Sequence, residues 1–199
     1  MGTITLEGMF KEGIQIGIKN ALAVIVNVIL WALTIWIPYF NVGTTIGLQT
    51  LVAKMGRDEG LKYTEIFSPE YRKYMGEFFL VMGFMMMGYF FGLMLFFIPG
   101  LVILLAWSLA PLLVLDKNME PTSAIKKSND ITYGHKWMMF LGPLLVWVVL
   151  VIVMAIISYI GSLIHPVVGG FLSLICIILF IPIVMGIQAY IYRELSKNI

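Results

Sequence analysis

The stretch FFLVMGFMMMGYFFGLMLFFIPGLVILLAWSLAPLLVL, residues 78–115, contains no Asp, Glu, Lys or Arg. A helix that crosses a bilayer needs about 20 apolar residues, with a range of roughly 17–25. This run is long enough for two crossings. Pro99-Gly100 stands near its middle. Proline has no N–H to give and disfavours helix in the residue before it, so the pair marks a turn. The stretch reads as a helical hairpin in lipid.

Two further charge-free runs flank it, residues 20–53 and 137–192, and each is also too long for a single crossing. Each is broken near its centre, at Pro38 to Asn41 and at His165-Pro166. The pattern predicts an all-α integral membrane protein, with residues 1–199 forming a single transmembrane domain. Six crossings are expected, near 20–37, 39–53, 76–97, 100–115, 137–164 and 167–190, paired into three hairpins. The second crossing is short and is expected to tilt little or to pack inside the bundle. Composition agrees, because 60% of the 199 residues are hydrophobic and 12% are charged, against about 25% charged in soluble domains. The N-terminus does not read as a cleavable signal peptide, since Glu7 and Glu12 precede the first apolar run and no small-residue cleavage pattern follows it.

All 13 basic residues lie outside the charge-free runs. Lys11 and Lys19 come before the first run. Lys54, Arg57, Lys62, Arg72 and Lys73 separate the first from the second. Lys117, Lys126, Lys127 and Lys136 separate the second from the third, and Arg193 and Lys197 follow it. Basic residues stay on the cytoplasmic side, so both termini and both long connections are expected there, in a cell inner membrane. The acidic residues share that side and the net charge is only +2. No basic patch suggests a nucleic-acid partner.

Each hairpin follows a segment with helical amphipathicity, and the expected outer turns at Pro38, Pro99 and Pro166 are spaced like a threefold repeat of pattern. Leu6, Met9, Phe10, Gly13, Ile14 and Gly17 fall on one face of the first segment. Ser68, Pro69 and Glu70 form a start signal for the second. The third starts at Glu120-Pro121 and aligns Ala124, Ile125, Ser128, Ile131 and His135. Such helices ordinarily lie in the membrane interface. Trp31, Trp36 and Tyr39 suit the outer headgroup level, and Tyr71, Tyr74, Tyr133, Trp137, Tyr190 and Tyr192 the inner one. Trp107 and Trp147 fall outside both belts and are expected to pack within the bundle.

Small residues four apart let helix backbones approach closely in lipid. Gly43 and Gly47, Gly88 and Gly92, and Ala106 and Ala110 are the candidate packing positions, with Ser158 and Ser162 a further pair. The polar side chains most costly to leave unpaired in the spans are Asn27, Gln49 and Gln188. With Ser108 they are the candidate intramembrane polar contacts, expected to face the bundle interior. Pro111, Pro143 and Pro182 lie within expected spans, where neighbouring helices can satisfy the carbonyls they free.

Catalytic chemistry finds little purchase. His135 and His165 belong to opposite sides of the membrane and cannot share a metal site. Ser162 is one helical turn from His165, but a hydrolase also needs an oxyanion site and a path for water. No acid or base for ion coupling lies within the spans. Met82, Met85, Met86 and Met87 are close in sequence, yet consecutive helical residues point apart, so packing explains them better than copper binding. The single cysteine, Cys176, reads as a small buried residue. No cofactor is expected.

The segment FFIPGLVILLAWSLAPLLVLDKNMEPTSAIKKSNDITYGHKWMMFLG, residues 96–142, resembles a pattern in bacterial membrane families. These are the membrane domain associated with some glycerophosphodiester phosphodiesterases and the YciC-like and Yip1-like six-span proteins. Pro99-Gly100, Pro111, Asp116, and the Ala124 to Ser128 helix leading to Gly134 and Trp137 carry the likeness, with Tyr192-Arg193-Glu194-Leu195 resembling the family's ending. The resemblance implies the six-span fold. It implies no phosphodiesterase activity, since the catalytic domain of those enzymes has no counterpart in this sequence.

The function expected from these features is non-enzymatic. Membrane lipids, another membrane protein or a second copy of the chain would be the partner. The alternative is a channel or transporter for a neutral or hydrophobic solute, which requires a cavity lined by Asn27, Gln49, Ser108 or Gln188.

Overall fold

The structure is a computed structural model that describes residues 3–197 and 199. Among these residues the regular structure is helical, with no strand. Helix α1 (Leu6–Lys19) opens at Thr5, whose hydroxyl accepts a hydrogen bond from the Gly8 N–H at 3.0 Å. This cap supplies a partner for one of the N–H groups a helix start leaves over. A bend of 68° at Asn20 leads into α2 (Ala21–Thr34), and a tight turn leads into α3 (Pro38–Gly56). A connection follows that ends in a 3-10 turn over Pro69–Tyr74. Then come α4 (Met75–Leu95), α5 (Phe97–Lys117), α6 (Pro121–Thr132), α7 (Lys136–Ile164) and α8 (Pro166–Ser196).

Two hairpins stand out. In α4–α5, Gly92 meets Gly100, and a methyl group on either would press into the other arm of the hairpin at 2.8–3.0 Å. Gly88 lies under the ring of Trp107, so that tryptophan does pack within the bundle. In α7–α8, Gly161 and Gly169 form the matching close approach. Four helical stretches are long and apolar enough to cross a membrane, namely Pro69–Leu95, α5, α7 and α8; counting the bent α1–α2 pair as one span makes five. The expected crossing at 39–53 is not among them.

The first expected hairpin differs for a physical reason. α2 has 14 residues, about 21 Å of helix, short of the roughly 30 Å hydrocarbon core. The turn expected on the outer surface sits beside the charged connection instead. The Phe40 and Phe67 rings are 5.6 Å apart, and the Arg72 guanidinium lies 5.7 Å from the Phe40 ring. At its other end α3 meets the C-terminal part of α8, with Gly56 against the Ala189 carbonyl. Much of α3 is buried, from Gly43 to Gly56, and its partners are protein rather than lipid.

α1 lies along the C-terminal half of α8. Gly8 faces Tyr190, Gly13 faces Ile187, and Gly17 faces Pro182, with Gly186 opposite both Gly13 and Gly17. A methyl on Gly186 would collide with the Gly13 carbonyl. The second expected lead-in helix is a 3-10 turn running into α4, and Ser68 gives it no side-chain cap. The third is α6, as expected from residue 121 onward. α5 is interrupted at Ser108–Leu109, just before Pro111. There α6 supplies what the backbone lost. Ser128 Oγ accepts from the Leu109 N–H at 3.2 Å and donates to the Ala106 carbonyl at 2.7 Å, and the Thr132 hydroxyl donates to the same carbonyl at 3.3 Å. Both hydroxyl residues are fully buried. Gly134, with φ of +81°, makes the turn from α6 into α7. That left-handed conformation is open to glycine at little cost.

Candidate functional site

The four candidate polar residues separate into two groups. Asn27 is fully buried and belongs to a packed seam. Its Nδ2 donates to the Ala23 and Lys62 carbonyls, each at 2.8 Å, and its Oδ1 accepts from the Ile66 N–H at 3.0 Å. One carboxamide thus ties the 62–66 connection to α2. Beside it Glu65 accepts from Lys54 Nζ at 2.6 Å, from the Tyr71 hydroxyl at 2.7 Å and from the Lys62 N–H at 3.3 Å. Burial pushes the Glu65 carboxyl up, but the hydrogen bonds from Lys54 and Tyr71 outweigh it and hold it below the usual carboxylate range. Trp31 donates to Thr45, and Thr34 and Thr44 share a bond at 3.0 Å, so the α2–α3 contact is sewn by side chains.

Gln49, Ser108 and Gln188 come together elsewhere. They line a cavity of about 650 Å³ between the α4–α5 and α7–α8 hairpins, with α3 beneath. Met82 and Met85 enter it from α4, and Leu101, Leu104, Leu105, Pro111 and Leu112 from α5. Phe140, Pro143, Leu144 and Trp147 come from α7. Its wall is apolar apart from the three polar side chains, and among the described residues no charged one lines it. Gln49 and Gln188 are exposed to this space rather than buried in the bundle. Ser108 is occupied, its hydroxyl donating to the Leu105 carbonyl at 2.9 Å. Pro143 has no N–H for the Met139 carbonyl one turn earlier, and both residues line the wall.

The cavity has a direction. α5 runs from Leu101 toward Lys117, α8 from Val184 toward Arg193, and α7 reaches Trp147 from Lys136. Gln188 and Gln49 therefore lie toward the charged ends of these helices. Leu101, Leu104, Trp147 and Val184 lie toward the apolar ends.

Part of that charged layer is ion-paired. Asp116 meets Arg57 and accepts from the Tyr192 hydroxyl at 2.5 Å. Arg57 also binds Glu59, Arg193 pairs with Glu12 and Glu194, and Lys19 with Asp58 at 2.6 Å. Asp116, one helical turn past the cavity-lining Leu112, has its side chain almost entirely buried. Its pairing with residues 57 and 192 joins the end of α3 to α5 and α8.

The other candidates fall as follows. Gly47 does pack closely, but against the Ile66 backbone at 2.7 Å rather than against another span. Gly43 meets only the Arg72 side chain, at 3.6 Å. Ala106 and Ala110 are buried at the α5 break. The seam of Gly13, Gly17 and Gly186 is not among the small-residue pairs expected to pack. Its signal is the four-residue spacing of Gly13 and Gly17 on the apolar face of α1. Ser162 donates to the Tyr159 carbonyl at 2.7 Å, and His165 Nδ1 accepts from the Val167 N–H at 3.2 Å, so the two side chains serve the turn separately. Among the described residues no group of three His, Cys, Asp or Glu could hold a metal ion. Trp147, expected to pack within the bundle, is instead 58% exposed on the cavity wall.

Comparison of the chain with protein-family models, with curated proteins and with solved structures finds no match in any of the three.

Proposed function

We propose that this is a non-enzymatic protein of the cell's inner membrane that holds a lipid-like molecule in the cleft between its two long hairpins. In this reading α4–α5 and α7–α8 cross the bilayer, both termini stay in the cytoplasm, and α1, α3 and α6 form a cytoplasmic-side layer. The α2–α3 hairpin lies along the same interface, with Leu22, Ile29, Leu33 and Trp36 on its outer side exposed and apolar toward the lipid. A full crossing would place its tip far from Phe67 and Arg72, or would drag a connection carrying Arg57, Asp58, Glu59, Lys62 and Glu65 through hydrocarbon. Each ionised group at the bilayer centre costs about 2.5–3.5 kcal/mol even on the mildest scale.

The cavity carries the proposal. Its volume, about 650 Å³, falls in the range of roughly 300–1,000 Å³ typical of small-molecule sites, and an apolar wall with a few polar groups is the usual composition of such sites. Filling it is the test. Leu104→Trp places an indole in the space, since Leu104 is a partly exposed wall residue. Native mass spectrometry of the protein released from nanodiscs should show one fewer retained lipid per chain in the variant. An unchanged lipid count would end the proposal.

The convergence of Gln49, Ser108 and Gln188 also supports a second reading, passage of a small neutral solute. Liposomes containing the protein would then pass such a solute faster than empty ones, and Leu104→Trp would slow it.

A further inference from the structure

We infer that the cavity selects an amphiphile whose headgroup is uncharged and hydrogen-bonding, such as a monoacylglycerol or a long-chain alcohol, over an anionic phospholipid. The inference rests on the lipid-holding reading above and adds the chemistry of the occupant.

Three observations lead there. First, the polar groups offered by the wall are neutral. Each carboxamide has two N–H donors and a carbonyl acceptor, and Gln49 and Gln188 present them from α3 and α8 into the same space. Second, the polar groups are at one end. Gln188 and Gln49 lie toward the charged ends of the helices, while Leu101, Leu104, Trp147 and Val184 continue the wall toward the apolar ends. An amphiphile would then sit in the cleft with the same sense as the leaflet beside it, headgroup toward the charged layer.

Third, among the described residues no cation lines the wall, and the two arginines near that end are already ion-paired. Arg57 is held by Glu59 and Asp116, and Arg193 by Glu12 and Glu194. Lys136, a turn before Met139 and Phe140, donates to Asn129 Oδ1 and lies 5.8 Å from the Tyr133 ring. A phosphate brought into the cavity would meet no charged side chain on the described wall, and burying an unpaired charge is far costlier than burying a hydroxyl with a partner. The same wall would accept an uncharged headgroup, because a carboxamide can both donate to and accept from it.

Trp147 gives a direct readout, since bromine on an acyl chain quenches an indole it touches. The full chain is placed in nanodiscs of unbrominated phosphatidylcholine doped with one brominated probe at equal mole fraction. The probes are a dibrominated monoacylglycerol, a dibrominated phosphatidylglycerol and a dibrominated phosphatidylcholine. Subtracting the signal of Trp147→Phe isolates the residue of interest. The expected result is several-fold stronger Trp147 quenching by the monoacylglycerol than by either phospholipid. Gln49→Ala and Gln188→Ala, whose side chains are exposed and leave the core intact, should each reduce that excess, and the double variant should remove it. Equal quenching by phosphatidylglycerol would overturn headgroup selection while leaving the cleft a lipid site. An excess that survives the double variant would overturn it too, because the carboxamides would not be the recognising groups. Trp147 quenching by no probe above the bilayer background would overturn both the inference and the reading beneath it.

Discussion

Asn27 and Gln188 are carboxamides in charge-free runs, and they meet opposite fates. Asn27 spends both ends of its side chain on the backbone of a connection 35 to 39 residues away. Gln188 opens into a cavity that Gln49 also lines. The seam around Asn27 is full, with Glu65, Lys54, Tyr71, Thr34 and Thr44 all partnered. The cavity is walled by large apolar side chains that leave space between them. The same chemical group is a staple where helices and connection close around it and a cavity-facing group where two hairpins leave space between them. Cost in apolar surroundings does not by itself separate the two, because an unpaired amide is costly in either place.

That contrast can be broken at the seam first. Asn27→Leu removes the bonds to Ala23, Lys62 and Ile66 and leaves the Lys62 carbonyl and the Ile66 N–H without their side-chain partner. Each orphaned group costs about 1–3 kcal/mol, so the variant should lose about 2–6 kcal/mol, read as a large fall in Tm in detergent. A loss below that of a cavity substitution would erase the distinction.

Glu65→Gln should cost about 1.5–3 kcal/mol, the range for hydrogen bonds to charged groups, and its effect depends on pH. The folded carboxyl is held below the usual value of 4.5. Its contribution is therefore complete above that value and is lost as pH falls through the lower folded one. The Tm gap between the wild type and Glu65→Gln should stay constant above pH 4.5 and close below it. A gap that widens on acidification would mean that the carboxyl is not stabilised as described.

The α1–α8 contact supplies a smaller effect of a different kind. Gly186→Ala sets a methyl against the Gly13 carbonyl and the Gly17 N–H, an overpacking expected to cost about 1–3 kcal/mol. Gly83→Ala, where nothing lies within 4 Å, should leave stability unchanged. Comparable Tm values for the two would argue that α1 is loosely attached. The smallest effect should come from the cavity itself. Gln188→Leu exchanges an exposed carboxamide for an apolar side chain and should change stability by less than about 1 kcal/mol, since it leaves no buried partner behind.

Much of the helical architecture was legible in the sequence. A hairpin turns at Phe96, three residues before the expected Pro99-Gly100, which instead lie in the first turn of α5; the one at His165-Pro166 is where charge absence and proline put it, and Glu120-Pro121 does begin a helix. The three cavity polar residues stand among the four candidates, as does Asn27. Which of them would pair and which would face a cavity was not legible, and neither was the course of residues 20–74. The charge-free run 20–53 satisfies the length rule for two crossings, and absence of charge alone does not distinguish a helix in lipid from one against protein. The threonines of α3 and the short α2 are hints of that difference. The exposure of Trp147 could not be read from its own segment, because its neighbours come from other helices.

From the sequence alone came the division into charged and apolar stretches and the helical state of the apolar ones. Those follow from the free energy of moving ionised groups and unpaired backbone out of water, which depends on residue type and chain neighbours. The tertiary structure decided that Phe40 returns to Arg72, that α6 repairs the break in α5, and that Gln49 and Gln188 share a cavity. Each of those depends on which distant surfaces meet, and packing energy belongs to the pair of surfaces rather than to either segment.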